Sequence, residues 1–265
     1  MDDLAPLPAL ATGTAAPAIL DIQGVGKRFA FGTETITALS GATLRIPKGE
    51  FVCLIGPSGC GKSTLLRMIA GFESVSEGTL LMAGRHVAGP GPDRGMVFQD
   101  YGLFPWLTVR QNIGFGPAAR GRPRAEVAAT AARFLEMVGL DRFAEAYPHQ
   151  LSGGMKQRVA IARVLANQAE VVLMDEPFGA LDAMTRENLQ RELLQIWEST
   201  QLTVIFVTHA IEEAILLAGR VVVMSPGPGR IVADERIPLP RPRDPTGVEF
   251  NALRRHLAAL LGSRH

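Results

Sequence analysis

Residues 51–70 read FVCLIGPSGCGKSTLLRMIA, and this stretch decides the fold. Phe51–Ile55 is a short apolar run that predicts a buried strand. Lys62–Ala70 predicts a helix, because its apolar residues repeat at helical spacing and Gly71 follows its end. A strand, a glycine-rich loop and a helix in this order predict an α/β domain.

The loop between this strand and helix matches the pattern G-x-x-x-x-G-K-[ST], which is the phosphate-binding P-loop. Its glycines permit unusual backbone torsions, so exposed amides can surround phosphate oxygens with the helix dipole behind them. We expect Lys62 to reach the β- and γ-phosphates and Ser63 to offer its hydroxyl to Mg²⁺. The loop by itself leaves kinases, GTPases and motor ATPases open. The nucleotide-binding residues predicted here are Gly56, Pro57, Ser58, Gly59, Cys60, Gly61, Lys62, Ser63 and Thr64.

Three further apolar runs, at residues 171–174, 203–207 and 221–224, resemble strands. Charged, helical-looking segments at residues 185–200 and 210–217 separate them. Alternating strands and helices imply a parallel sheet with helices on its faces. We therefore predict an α/β fold of the P-loop NTPase type with a mostly parallel core sheet.

The sequence around this core predicts additional parts. Residues 19–25 and 36–46 resemble strands of an N-terminal antiparallel β subdomain, and residues 106–166 look mostly helical. The predicted division is a disordered leader at residues 1–18, the nucleotide-binding domain at 19–240 with an inserted helical subdomain at about 100–166, and a C-terminal tail at 241–265 with a short helix near 250–261.

Composition and charge exclude several function classes. The formal net charge of the 265 residues is +1, which gives no general attraction to nucleic acid. Cys53 and Cys60 do not indicate a disulfide framework, and a reducing cytoplasm fits. No apolar run approaches the roughly 18 residues that a membrane-spanning helix needs. The first residues include Asp2 and Asp3 and do not resemble a signal peptide.

Two carboxylates follow the apolar run at residues 171–174. Ligands bind at the carboxyl ends of strands in a parallel sheet, so we expect Asp175 near Ser63, as a partner of Mg²⁺ through water. Glu176 points elsewhere, because side chains alternate along an extended chain, and we expect it to polarise the attacking water. A charged pair that merely ends the strand is the alternative, and its burial without a cation would be costly.

Two more polar residues end predicted strands. His209 follows residues 204–208, and we assign it to the γ-phosphate and the attacking water, because the same sheet edge carries the P-loop and both carboxylates. Gln99 follows residues 96–98 and could reach the metal ion and the water. The alternative for His209 is an ordinary hydrogen-bonded histidine of the core or the surface. The alternative for Gln99 is a surface glutamine without a role in binding.

Residues 151–158 read LSGGMKQR and resemble the signature motif of the ATP-binding subunits of ABC transporters. The P-loop corresponds to that family's Walker A motif, and Asp175-Glu176-Pro177 is similar to its extended Walker B motif. Residues 180–182 resemble the D-loop, Gln99 the Q-loop and His209 the switch histidine. The six motifs run in the family's order.

The resemblance covers about residues 19–224 and implies a homodimer. A helix that we expect to start near Met155 follows the signature serine and glycines, and a helix N-terminus favours anions. In the family, this end closes over the ATP that the other subunit holds, although a serine here would also suit an ordinary helix cap. The resemblance implies that Glu176, His209 and Lys62 are catalytic, that Ser63, Gln99 and Asp175 hold Mg²⁺, and that Ser152, Gly153 and Gly154 bind ATP.

Stretches outside the chemistry narrow the resemblance to the nitrate/sulfonate/taurine import subfamily. These are residues 104–109, FPWLTV, residues 224–231, MSPGPGRI, and the Pro/Arg run at 238–243. Two residues depart from the family pattern. Phe29 replaces the usual tyrosine that stacks on adenine; we keep it as a nucleotide-binding residue, with a core aromatic as the alternative. Met155 replaces a common glutamine, but phosphate binding need not suffer.

The resemblance implies an ATP-hydrolysing subunit that powers an importer for a small anionic or polar solute. It also implies a separate transmembrane permease, an indirect solute-binding protein and a peripheral position at the cytoplasmic face of the inner membrane, without a nucleic-acid partner. The alternative is a soluble ABC ATPase that acts on ribosomes or nucleic acid, although such proteins usually carry two cassettes or a long coiled-coil insert. A P-loop GTPase or small-molecule kinase would leave residues 151–158 unexplained, and Glu176 and His209 argue against a regulatory module without turnover.

Overall fold

The computed structural model describes residues 18–262 apart from Gln99 and Ala180. Its strands, numbered along the chain, are β1 (Ala18–Phe31), β2 (Glu34–Pro47), β3 (Phe51–Ile55), β4 (Glu77–Met82), β5 (Arg85–His86), β6 (Arg94–Val97), β7 (Val171–Asp175), β8 (Thr203–Thr208), β9 (Arg220–Met224) and β10 (Ile231–Arg236). Its α-helices are α1 (Lys62–Ala70), α2 (Val109–Ala119), α3 (Arg124–Met137), α4 (Gly153–Ala166), α5 (Ala183–Thr200), α6 (Ile211–Leu217) and α7 (Val248–Gly262). The predicted leader lies outside the described residues except for Ala18, which begins β1.

The core sheet is mostly parallel, which confirms the prediction from alternating strands and helices. Its strands follow the order β10-β9-β3-β8-β7-β6, and β10 is the antiparallel member, paired with β9. All of β3 is buried because its two faces serve different apolar clusters. Phe51, Cys53 and Ile55 pack with residues of α4 to α7, whereas Val52 and Leu54 pack with α1 and the N-terminal strands.

The N-terminal strands form a separate antiparallel sheet in the order β2-β1-β4-β5, as the fold prediction expected. The strand expected at residues 19–25 continues to Phe31. The pairing of β1 with β2 contains register shifts between Ile22 and Lys27. Such irregularities interrupt the alternation of apolar and polar residues from which strands are predicted. The sequence analysis did not predict β4 and β5.

Helices α2, α3 and α4 occupy the region between β6 and β7 where mostly helical structure was expected. Helix α4 begins at Gly153, two positions before Met155, because Ser152 Oγ accepts a hydrogen bond from the Met155 amide at 3.3 Å and caps the helix. The expected terminal helix is present as α7. Within the described part of the chain, no helix combines the length and the apolarity that crossing a membrane requires.

Candidate active site

The P-loop connects the carboxyl end of β3 to the first turn of α1. Gly61 caps this helix with φ of 87°, a left-handed conformation that costs glycine little. A Cβ atom at Gly61 would lie 2.8 Å from the carbonyl oxygen of Ala38 on β2. The loop therefore passes directly beside the N-terminal sheet, and a side chain at Gly61 would displace one or the other.

The ammonium group of Lys62 is buried and folded back over the P-loop. Its Nζ donates hydrogen bonds to the carbonyl oxygens of Gly56 at 2.7 Å and Pro57 at 2.9 Å, and lies 3.6 Å from Cys60 Sγ. Such acceptors offset the desolvation of a buried charge. The positive charge is thus held at the start of α1, where free amides and the helix dipole also favour an anion.

The fold brings Ser63 and Asp175 together across 112 positions of sequence, with Ser63 Oγ donating a hydrogen bond to Asp175 Oδ1 at 2.9 Å. Burial raises the pKa of Asp175 above its usual value, and the charge of Glu176 acts in the same direction. The hydrogen bond from Ser63 and the positive charges of Arg67 and Lys62 oppose this rise without cancelling it. A hydroxyl beside a carboxylate is a donor set that suits Mg²⁺, which usually takes its remaining ligands from water and substrate phosphates.

Glu176 contacts a different partner from Asp175. Its Oε2 atom lies 3.3 Å from Nδ1 of His209. The Glu176 amide donates a hydrogen bond to the Val207 carbonyl oxygen at 3.0 Å, which ties the turn after β7 to β8. Both side chains remain accessible, with the His209 side chain 64% exposed. A carboxylate and an imidazole in this arrangement can exchange a proton with a water molecule placed beside them.

Phe29 lies on β1, half-buried, with the Lys27 ammonium group 4.9 Å from its ring centroid. It pairs with Ile36 on β2, two positions from Ala38, whose carbonyl abuts Gly61. The structure therefore places Phe29 on the hairpin that borders the P-loop, beside a cation rather than within the apolar core. Gln99 lies outside the described residues, so its assignment to the metal ion stays a prediction.

The signature residues lie at the N-terminus of α4. Ser152 is exposed, and a Cβ atom at Gly153 would lie 3.2 Å from Leu181 Cδ2 and 3.3 Å from the Tyr101 hydroxyl. Met155 is half-buried against the apolar cluster that includes α4. Its side chain therefore serves packing, and the exposed cap stays accessible to an anion.

One contact that the sequence analysis missed lies behind the P-loop. Gly229, in the loop between β9 and β10, donates a backbone hydrogen bond to the Ala38 carbonyl oxygen at 3.1 Å. A Cβ atom at Gly229 would lie 1.9 Å from the Cys60 carbonyl oxygen. The glycines of the MSPGPGRI stretch were the available signal, because close approach of two backbones requires glycine.

A second missed feature is a clamp on the helix after His209. The Arg243 guanidinium donates hydrogen bonds to the carbonyl oxygens of Ile215 and, at 2.6 Å, of Ala218. Arg241 bonds the Leu217 carbonyl oxygen. Burial, with a smaller effect of Arg241, lowers the pKa of Arg243 to about 10, so the side chain stays charged at neutral pH. The Pro/Arg run thus satisfies carbonyl groups at the end of α6.

Comparisons with known proteins agree with this geometry. The family model described as "ABC transporter" matches residues 39–179. The chain is 51% identical to the nitrate import ATP-binding protein NrtD of Synechocystis sp., over 83% of each chain. It is 46% identical to the taurine import ATP-binding protein TauB of Roseobacter denitrificans, over 83% of this chain and 82% of that one.

A solved structure is also similar. It is a dimeric bacterial ABC transporter cassette that shares 35% sequence identity with a TM-score of 0.72, and the match covers 82% of this chain and 98% of that one. The family model spans more than half of the chain, and the relatives match the chain over most of their own length. The chain belongs to the ABC transporter family, and its relatives include the ATP-binding proteins of nitrate and taurine importers.

Proposed function

We propose that this chain is the ATP-hydrolysing subunit that powers an ABC importer for a small anionic or polar solute, through a separate transmembrane permease. The observation that carries the proposal is the meeting of two pairs at one sheet edge. Ser63, which ends the P-loop motif, is hydrogen-bonded to Asp175 at the end of β7. Glu176, directly after β7, contacts His209, directly after the neighbouring strand β8. The family membership and the names of the nitrate and taurine relatives support the importer over an ATPase of ribosomes or nucleic acid.

In the proposed reaction, Glu176 and His209 hold and deprotonate a water molecule for in-line attack on the γ-phosphate. Lys62 supplies positive charge where negative charge develops on the phosphate oxygens. Ser63, Asp175 and Gln99 would hold Mg²⁺, which neutralises phosphate charge when it is bound. The P-loop amides position the phosphates, and Phe29 would stack on the adenine ring.

The proposed assembly is a homodimer with two shared sites. Ser152, Gly153 and Gly154 at the start of α4, where Ser152 is exposed, would close over the ATP that the partner's P-loop holds. The similarity to a dimeric cassette supports this arrangement. Loss of the γ-phosphate removes the group that both subunits bind, so hydrolysis would open the dimer.

The proposed location is peripheral, at the cytoplasmic face of the inner membrane. A permease would contact the region of residues 101–108, where Trp106 is 69% exposed. A solute-binding protein would act indirectly, through the permease. We also propose residues 19–240 as the ATPase domain, the region near 100–166 as its helical subdomain, and 241–265 as a tail.

A pull-down from membranes tests this function. The full-length tagged chain, extracted in mild detergent, is expected to bring down an integral membrane protein and to hydrolyse ATP. Trp106→Ala is expected to lower the yield of that partner, whereas Val248→Ala, at another exposed apolar position, on α7, is the control. Sedimentation of the chain with ribosomes, without a membrane partner, would contradict the importer.

A further inference from the structure

A buried carboxylate on α6 connects the two segments that flank the candidate active site. Glu213 is 7% exposed and accepts a hydrogen bond from Thr208 Oγ1 at 2.6 Å and from Gln190 Nε2 at 3.3 Å. Its Oε1 atom also lies 3.7 Å from Nε of Arg186 on α5. Glu213 takes no part in the reaction described above, so its burial needs another explanation.

One end of this cluster is the turn that carries His209. Thr208 directly precedes His209, and its hydroxyl oxygen accepts a hydrogen bond from the Ala210 amide at 3.0 Å. Glu213 accepts the proton of the same hydroxyl. The carboxylate therefore orients the hydroxyl that fixes the backbone on both sides of His209.

The other end is the segment that precedes α5. Arg186 Nη2 donates a hydrogen bond to the Leu181 carbonyl oxygen at 2.9 Å. The Leu181 side chain in turn lies beside Gly153, the first residue of α4, where a Cβ atom would be 3.2 Å from Leu181 Cδ2. A continuous series of contacts thus runs from His209 through Glu213 and Arg186 to the signature helix of the same chain.

The energetics favour keeping this cluster intact. A buried carboxylate is costly unless it is paired and hydrogen-bonded, and breaking one partner leaves an uncompensated charge. Removing Glu213 would take away the acceptor of the Thr208 hydroxyl and the ion-pair partner of Arg186 at the same time. Because these groups hold two different backbone segments, their positions depend on one side chain.

We propose that Glu213 is a positioning residue that ties the turn carrying His209 to the Leu181 segment and the signature helix of the same chain. The inference rests on the proposed function, because His209 and Ser152 serve different ATP molecules in the proposed dimer. Glu213 touches neither nucleotide nor water in this account. It holds His209 and Ser152 of one chain at fixed positions relative to each other.

The test uses the purified full-length chain with Glu213→Gln, Arg186→Gln and the double variant. Glu213→Gln and Arg186→Gln are each expected to lower kcat about tenfold with KM for ATP within about twofold, because positioning rather than ATP binding is lost. The double variant is expected to lose no more kcat than the more severe of the two single variants, since both changes interrupt the same series of contacts. Glu212→Gln is the matched control, because Glu212 is exposed and its ion pair with Arg254 contributes little.

Hydrogen exchange of the nucleotide-free protein gives a readout that needs no hydrolysis. Glu213→Gln is expected to speed amide exchange both near His209 and near Leu181, whereas Glu212→Gln leaves both unchanged. If Glu213→Gln fails to fold, Thr208→Val and Thr208→Ser replace it, and the serine variant is expected to restore the kcat and protection that the valine variant loses.

The outcomes separate the inference from the proposed function. Absence of ATP hydrolysis by the unmodified protein would overturn the proposed function. Unchanged exchange near Leu181 in Glu213→Gln would overturn the tie by itself. A double variant whose loss equals the product of the two single losses would show independent effects and would also overturn it.

Discussion

Glu176 Oε2 lies 3.3 Å from His209 Nδ1, where the neighbouring strands β7 and β8 end. Glu176 adopts a left-handed conformation with φ of 46°, which costs a side chain other than glycine roughly 1–2 kcal/mol. Its amide is bonded to Val207, so β8 holds the turn in place. In this conformation the Glu176 carboxylate contacts the imidazole, while Asp175 one position earlier contacts Ser63.

The raised pKa of Asp175 predicts a pH dependence of stability. A folded-state pKa above the unfolded value means that the folded chain holds the proton more tightly. The stability from this group is therefore present below the usual aspartate pKa and is lost as pH rises through the folded value. Without Mg²⁺ and nucleotide, the free energy of unfolding is expected to fall less for Asp175→Asn than for the wild type as the pH rises above the usual aspartate pKa of about 3.9. Parallel curves from urea denaturation would contradict this.

Gly229 is expected to set the position of the P-loop from behind. In Gly229→Ala the new Cβ atom would collide with the Cys60 carbonyl oxygen, 1.9 Å away, so the phosphate-binding amides must shift. We expect ATP affinity to fall roughly tenfold, since small displacements of positioned groups have large effects. Gly227→Ala, in the same loop with open space around its Cβ position, is the control. Calorimetric titration with ATP measures both, and equal affinities for the two variants would refute the role.

The Arg243 clamp is expected to stabilise α6. Arg243→Gln removes the charged donor from the carbonyl groups of Ile215 and Ala218, so unfolding should become easier by about 1–3 kcal/mol. Arg255→Gln is the control, because the Arg255 side chain is exposed and bonds no residue within the described part of the chain. Urea denaturation measures the free energy of unfolding of both variants. A loss below about 0.5 kcal/mol for Arg243→Gln, as ordinary surface substitutions give, would contradict the role of the clamp.

Shared sites predict rescue between two inactive variants. Lys62→Ala breaks the P-loop and Ser152→Ala breaks the signature, so each homodimer has two defective sites. A mixed dimer has one site with an intact P-loop from one chain and an intact signature from the other. Random mixing should restore about a quarter of wild-type ATP hydrolysis, because half of the dimers are mixed and each has one working site. Activity of the mixture no higher than that of either variant would count against shared sites.

The sequence predicts the sheet edge better than it predicts the supporting contacts. Asp175 and His209 could be placed because parallel strands bring their carboxyl ends to one edge, whatever the length of chain between them. The helix start that was predicted near Met155 lies two positions from the observed start at Gly153, since the cap at Ser152 is a local hydrogen bond.

The contacts of Gly229, Arg243 and Glu213 were not predicted, because each joins segments that only tertiary packing brings together. Gly229 contacts Cys60 across the fold, and Arg243 reaches Ile215 from 28 positions away. Glu213 lies in the segment at residues 210–217, which the sequence indicates only as charged and helical. Residue type cannot tell a buried, partnered carboxylate from an exposed one, because the partners come from a different helix and strand.

ATP turnover by Glu176→Gln tests the central claim most directly. The amide keeps the shape of the side chain and loses its basicity, so kcat should fall by roughly 10²–10⁴ if Glu176 is the general base. The variant should still bind ATP and form a stable ATP-dependent dimer, as size-exclusion chromatography would show. Glu187→Gln, on the exposed face of α5, should turn over ATP like the wild type. Hydrolysis by Glu176→Gln at the wild-type rate would contradict the account.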